Sequence, residues 1–546
     1  MTALRPYLAL GLLCLVLYVP GMALVPPLDR DEARYAQASR QMVETGDWVR
    51  IYFQDEPRLK KPAGVYWLQA AAVTLLSDAA SPKMWPYRLP SLLAALAASL
   101  MTFYFGSFLI GREGAFLAAA LLGGCLMLVT EAHLAKTDAV LLACVVAAQG
   151  ALARFYQAAR GTTTSPPGWG AALTFWAAQG LGILVKGPIV PFLSALTYIT
   201  LSLADRDFRW GLRLKPLPGL VFAAAIAAPW FHAISQATKG GFMAQSVGQD
   251  LIPKLLGGQE SHGGWPGYYL VLALLTFWPA SLFLAPALHR AWAERRQAAV
   301  RFCLAWIGPL WLVLELTPTK LPHYTLPTYP ALALLVGATL TSPEAQGLLK
   351  GRIARALCGV WIVLGLALAG GLVWVMGEYG GGVSALGLLA ALSAAGVAGL
   401  GGWRFFTGQG QSAASVILAG AGLTFVLTFS ALMPGLDALW LSRSVQDAVA
   451  KAGTSAPVAV AEYHEPSLVF LLGTATKLTD GAGAAAHVLG EPGALAVVGG
   501  REDEAFQAAI AQANNRVETL ATLEGFNYSR GRATVLRLYR RAKDTP

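Results

Sequence analysis

Apolar positions along this chain fall into long blocks, separated by short basic loops and by one long stretch of mixed character near the start. Blocks at about 7–27, 88–110, 114–129, 138–156, 169–185, 188–203 and 217–235 are each long and apolar enough to predict a membrane-crossing helix. So are those at 268–288, 299–316, 325–340, 353–376, 383–402 and 412–433. A shorter apolar segment, 62–76, has Tyr66 and Trp67 near its start. Loop charge decides how to read it. If 62–76 lies in the membrane interface, thirteen spans remain and the basic residues gather on one side. That side carries Arg5, Arg112, Arg154 with Arg160, the run Arg206, Arg209, Arg213 and Lys215, the cluster from Arg290 to Arg301, Lys350 with Arg352 and Arg355, and Arg404. If 62–76 crossed, the arginine-rich loops after it would move to the outside. The pattern therefore predicts a polytopic α-helical membrane protein of about thirteen transmembrane helices, with juxtamembrane helices in a first outer loop at 28–80. The other outer connections are 131–137, Lys186, 239–264 and 317–324.

From about 436 the pattern becomes that of a soluble unit. Segments 457–461 and 494–498 read as buried strands, 502–513 as a helix, and 534–539 as a terminal strand. The expected division is a membrane domain at 1–435 and a small α/β domain at 436–546 on the outer, non-cytoplasmic side. Two roles suit that domain: capping the active face or helping to recognise an acceptor, and plain stabilisation.

Composition agrees with a membrane protein. The chain is 55% hydrophobic and 13% charged, where a soluble domain carries roughly 25% charged residues. The net charge of +10 fits basic cytoplasmic loops, and no basic run with interleaved aromatics points to nucleic acid. All five cysteines lie in apolar spans without metal-ligand spacing, so neither a disulfide nor a thiolate site is expected. The first helix has one arginine, Arg5, and no small-residue cleavage site, and reads as uncleaved. The many aromatics belong to lipid-facing and core positions, and none is assigned as a carbohydrate platform.

The stretch 28–67 is where chemistry is expected. A charged loop of this length adds no stability to a membrane protein, and such loops usually carry function. Asp31 and Glu32 precede a helical pattern at 33–42, so a helix N-cap is the structural alternative for Asp31. Asp138 stands at the outer end of a span, where a carboxylate is costly unless used or paired, and Lys136 is the nearby candidate partner. Glu260 and His262 in the long outer loop make a thin constellation for a divalent ion.

These residues carry a resemblance. Asp31-Glu32-Ala33-Arg34-Tyr35, Gly46-Asp47-Trp48 and Lys61-Pro62-Ala63-Gly64-Val65-Tyr66-Trp67 resemble the first-loop signature of the bacterial 4-amino-4-deoxy-L-arabinose lipid A transferases. Those enzymes are grouped with the protein O-mannosyltransferases in the GT-C class. Ala135-Lys136-Thr137-Asp138, Val185-Lys186-Gly187-Pro188, Lys320-Leu321-Pro322-His323-Tyr324 before Tyr329-Pro330, and Gly525 to Gly531 (GFNYSRG) continue the match in order along nearly the whole chain.

The resemblance implies an inverting transfer of a monosaccharide from a polyprenyl phosphate, such as undecaprenyl phosphate, at the periplasmic face of the bacterial inner membrane. Lipid A or another envelope glycolipid is the leading acceptor, and a protein or polysaccharide hydroxyl is the alternative. Under it, Asp31 and Asp138 are the catalytic carboxylates, and Lys61, Arg34, Tyr324 and Lys186 hold the donor phosphate. Glu32, Lys60, Lys320, His323 and His262 are candidate substrate contacts. Lys60 stands where these enzymes place a metal-associated glutamate, so the resemblance does not carry a metal site here. No cofactor is assigned beyond an open question over a divalent ion, with Glu260 and His262 its weak candidates. The partners implied are the lipid-linked sugar, the lipid acceptor and membrane lipids, acting on a monomer. From another class, a glycolipid transporter or flippase would also be polytopic, but its ionisable groups should sit mid-membrane in repeated halves. Here the acids gather in outer loops, with no convincing repeat.

Overall fold

The computed structural model describes residues 4–163, 166–251, 264–343, 345–453 and 456–542. Most of them form a helical bundle. Among the described residues, seven helices are long and apolar enough to cross a membrane: Trp85–Gly123, Asp138–Ala159, Pro216–Ala237, Ala298–Leu316, Arg352–Tyr379, Ala385–Phe406 and Gly410–Gly435. The first of them covers most of two expected spans. Its halves meet at Gly111, whose φ of +80° is a conformation glycine adopts without penalty. Other expected spans are helical but shorter, as at Arg5–Tyr18 and Ile189–Asp205. The block at 268–288 is broken into Tyr268–Thr276, a 3-10 turn at Ala280–Phe283 and Leu284–Ala293, with Pro279 at the break.

The bundle opens with α1 (Arg5–Tyr18), and the mixed-charge stretch after it folds as α2 (Asp31–Thr45), a short hairpin of β1 (Tyr52–Phe53) and β2 (Glu56–Pro57), and α3 (Gly64–Leu76). Helix α3 is 13 residues long, about 20 Å at 1.5 Å per residue, against a hydrocarbon core of roughly 30 Å. It is too short to cross upright, as is α1 at 14 residues. One face packs inward through Val65, Tyr66, Gln69, Ala70 and Val73, and Leu68, Leu75 and Leu76 face out. Gly46-Asp47-Trp48 is a turn: Gly46 closes α2 with φ +68°, and the Asp47 carboxylate accepts from the N–H groups of Val49 (3.0 Å) and Arg50 (2.9 Å).

Beneath this loop lies a buried ion pair. Arg88, in α4 (Trp85–Gly123), uses every guanidinium donor. Nε and Nη2 donate to the two carboxylate oxygens of Glu32 at 2.8 and 2.9 Å, and the remaining bonds go to the carbonyls of Met22, Val25 and Pro26. Glu32 also accepts from the N–H groups of Leu28 and Ala135, both at 2.9 Å. One carboxylate thus ties α2, α4 and the 131–137 connection together. Charges so well satisfied tolerate burial, and a lone one would not.

Beyond Gly435 the chain builds a small α/β unit with a five-stranded mixed sheet. Its order is β4–β3–β5–β7–β6, with β3 (Val458–Ala461), β4 (Lys477–Thr479), β5 (Leu495–Gly499), β6 (Val517–Asn527) and β7 (Arg532–Arg541). Strands β3, β4 and β5 run parallel and β7 pairs antiparallel with β5 and β6. This unit docks on the first loop. Gln37 donates to Thr474 Oγ1 (2.7 Å), Arg40 to the carbonyl of Phe470 (2.6 Å) and Gln54 to the carbonyl of Thr476 (2.6 Å). The GFNYSRG segment is the latch: the Asp29 N–H donates to Tyr528 Oη at 2.7 Å, and Arg30 donates to the carbonyl of Ser529.

The latch has a pH dependence of known sign. Asp29 is half-buried, accepts from the Ser467 N–H at 3.1 Å, and lies near Glu465. Burial, reinforced by Glu465, raises its pKa from 3.8 to about 6. Docking therefore favours the protonated acid: its contribution is complete below pH 4 and is lost as pH rises through 6. Asp29→Asn should remove that dependence and tighten the seam at pH 7.5 by about 1–2 kcal/mol. Limited proteolysis of the C-terminal unit between pH 5 and pH 8 measures it, and a parallel pH response in the Asn variant would contradict the assignment.

Candidate active site

A cavity of about 1280 Å³ opens where α2, the 58–61 segment and the outer ends of the helices meet the C-terminal unit. Its lining carries eight Lys or Arg side chains against four Asp or Glu, a balance that suits an anionic ligand. Asp31 is the first residue of α2 and is exposed to this space, with no ion pair to another described residue. Arg30 holds the N-cap position and Asp31 is the first helical residue, so the N-cap alternative does not hold. Arg34, one turn on, shares its face and is also exposed to the cavity.

Asp138 opens α5 (Asp138–Ala159) on another wall, and its carboxylate is surrounded by cations. Lys186, the last residue of α6 (Trp169–Lys186), reaches Asp138 Oδ1 at 2.6 Å. Lys136 bridges Glu131 (3.1 Å) and Asp138 (3.7 Å), so it is the second partner of Asp138 and not the main one. The His323 ring lies 3.8 Å from Asp138, and burial holds its pKa down at about 3, which keeps it neutral. The Tyr324 ring sits under the Lys186 ammonium, 5.7 Å from Nζ to centroid. Lys60 and Lys61 line the wall between the hairpin and α3.

Three lining cations, Arg30, Arg58 and Lys477, escaped the sequence reading. Arg58 donates from Nε to Tyr66 Oη at 2.9 Å, and its guanidinium lies 5.0 Å from the centre of the Tyr35 ring. Burial alone would lower its pKa; Tyr66, Tyr35 and Asp31 outweigh that and raise it, so the charge is permanent. Its position within the charged run 55–61, next to the Lys-Pro match, was the available signal.

Residues 60–232 match the family model described as dolichyl-phosphate-mannose-protein mannosyltransferase. Among known proteins, the chain is similar to the undecaprenyl phosphate-α-4-amino-4-deoxy-L-arabinose arabinosyl transferase of Erwinia tasmaniensis, with 27% identity over 62% of this chain and 60% of that one. The corresponding enzyme of Pseudomonas aeruginosa is 29% identical over 62% of this chain and 59% of its own length. The matched stretch thus spans less than two-thirds of these relatives. The crystal structure of ArnT from Cupriavidus metallidurans bound to undecaprenyl phosphate superposes with a TM-score of 0.74, at 20% identity and 97% coverage of both chains. The chain is similar in sequence to these transferases and has the ArnT fold.

Within the ArnT fold the remaining sequence candidates separate. Asp31, Arg34, Lys60, Lys61, Asp138, Lys186, His323 and Tyr324 all line the one cavity. Glu32 does not: its carboxylate is consumed by Arg88 and two backbone N–H groups, which corrects its reading as a substrate contact. Lys320 is likewise withdrawn. It is 5% exposed, and its ammonium donates to the carbonyls of Leu314, Glu315 and Thr317, closing the C-terminal end of the helix Ala298–Leu316. Glu260 and His262 lie outside the described residues.

The ligand atoms of Glu131, Asp138 and His323 lie within 4.8 Å of one another, a spacing a cation could use. Two lysine ammonium groups already neutralise those carboxylates. That donor set does not fit a metal ion.

Proposed function

We propose that this chain is an inverting glycosyltransferase that moves a monosaccharide from a polyprenyl phosphate to an acceptor at the periplasmic face of the bacterial inner membrane. The observation that carries this reading is a net-basic cavity at the end of the bundle, holding Asp31, which has no ion pair among the described residues, and a lysine-paired carboxylate, Asp138. A relative's fold, seen with undecaprenyl phosphate bound, supports the donor class.

The chemistry follows from these groups. Asp31 takes the acceptor's proton, or aligns an acceptor that is already anionic, as its oxygen attacks the anomeric carbon from the face opposite the phosphate. The glycosidic C–O bond breaks and its electron pair leaves on the polyprenyl phosphate, so configuration inverts. Lys61, Arg34, Arg58 and Lys186 stabilise the charge gathering on the phosphate oxygens, with Tyr324 beside Lys186. Asp138, flanked by Lys136 and Lys186, acts by positioning those ammonium groups. Lipid A or another envelope glycolipid is the acceptor we favour, from the names of the relatives. The matched family model, named for transfer to protein, favours a hydroxyl acceptor as the second reading, and there the need for Asp31 as base would be greater. The C-terminal unit, beginning near 436, would share the periplasmic side with the cavity.

Undecaprenyl phosphate without a sugar tests the donor site directly. The full chain in lipid nanodiscs should bind it saturably, and Lys61→Ala should weaken binding about tenfold, the scale of one charge-assisted contact. Absence of saturable binding by the wild type would overturn the reading.

A further inference from the structure

The C-terminal unit does more than dock beside the cavity: it forms one of its walls, through His464, Pro466 and the segment from Thr474 to Leu478. The wall is built stiffly. Strand β3 ends at Ala461, and Glu462 follows with φ +74°, a left-handed conformation unusual for a residue other than glycine. Its carboxylate accepts from Arg532 (2.8 Å) and from the Arg501 N–H (2.9 Å), which holds the turn in place. Tyr463 is buried with its hydroxyl 3.3 Å from Ser442 Oγ, and Glu465 is buried and accepts from Asn527 Nδ2 at 2.9 Å. Between these two pinned neighbours, His464 is the exposed residue, and it lines the cavity.

The ring of His464 is fixed in one tautomer. Its Nε2 lies 3.1 Å from the carbonyl oxygen of Val460 and 3.0 Å from that of Thr479. A ring nitrogen facing two carbonyl oxygens must carry its proton, so in the neutral ring Nδ1 is left with a lone pair and can only accept. In a cavity whose charged lining is mainly basic this is an unusual offer, and it selects against phosphate, which brings only acceptors. Resting on the glycosyltransferase reading above, we infer that His464 is a specificity-determining residue that reads the sugar of the donor, Nδ1 accepting a hydrogen bond from a hydroxyl or amino group of the glycosyl unit. The C-terminal unit thereby contributes to donor selection. Its hydrogen bonds to Gln37 and Arg40 fasten it to α2, the helix that begins at Asp31, and a third, to Gln54, fastens it to the hairpin, so the sugar-reading and proton-taking groups belong to one welded body.

Two ligands separate this role from a structural one. The full-length wild type, His464→Ala and His464→Gln in nanodiscs would be titrated with undecaprenyl phosphate, and with undecaprenyl phosphate bearing whichever of 4-amino-4-deoxy-L-arabinose or mannose the wild type turns over. His464→Ala should bind the sugar-bearing lipid about tenfold more weakly and raise its KM with kcat retained, while the sugarless lipid binds within about twofold of wild type. His464→Gln, whose carboxamide oxygen can accept in place of Nδ1, should recover most of the loss. Equal binding of the sugar-bearing lipid by His464→Ala would overturn the inference, and so would a parallel loss for both lipids, the mark of a disturbed wall. A wild type that binds neither lipid would instead fail the donor reading, and this inference with it.

Discussion

Asp31→Asn is expected to reduce glycosyl transfer by about 10²–10⁴-fold, the range a positioned general base contributes, while the chain remains folded. Asparagine keeps the size of the side chain and gives up the charge and the basic oxygen. Because Asp31 is exposed to the cavity and carries no ion pair to another described residue, its replacement leaves no buried charge stranded. The loss should therefore fall on kcat, with thermal stability in detergent unchanged. If the acceptor is an anionic phosphate, the fall sits at the lower end of that range, since little proton transfer is required. Comparing kcat for a phosphate acceptor and a hydroxyl acceptor in the same variant would reveal which one this cavity serves. Full activity in Asp31→Asn with both would remove Asp31 from the mechanism.

The adjacent acid should behave in the opposite way. Glu32→Ala leaves the Arg88 guanidinium, itself 0% exposed, without its carboxylate. Breaking one side of a buried pair costs about 3–5 kcal/mol, enough to depress expression and thermal stability sharply. Replacing both partners with apolar residues, Glu32→Met with Arg88→Met, should recover a good part of that loss, because no uncompensated charge remains. Differential scanning fluorimetry of the single and double variants decides the matter. A well-folded but inactive Glu32→Ala would return Glu32 to the substrate.

That two neighbouring acids have such different fates explains much of what could be read from the chain beforehand. The concentration of chemistry in the first loop follows from local composition: helices form within the apolar blocks, and Asp31, Arg34, Lys60 and Lys61 from that loop line the cavity. The phase of α2 is not local. Asp31 faces the cavity and Glu32 faces away only because Arg88, 56 positions later, claims the second carboxylate. Lys320 looked like a cavity cation from its place beside His323 and Tyr324, and its three carbonyl partners could not be seen without the helix they close. Strand β4 was missed because it is short, and β6 because it is a half-exposed edge strand without a continuous apolar run. The contribution of His464 to the cavity joins segments more than 400 residues apart in the chain, and no spacing rule reports that.

The most direct measurement is transfer itself, with purified protein in proteoliposomes supplied with a panel of undecaprenyl phosphate-linked sugars and with lipid A or peptide acceptors, comparing wild type with Asp31→Asn and Lys61→Ala. The cavity described above predicts that the wild type consumes one donor with inversion at the anomeric carbon, and that both variants are folded yet lose at least about 10²-fold in rate. Normal turnover by both variants, or no donor consumed by the wild type, would contradict it.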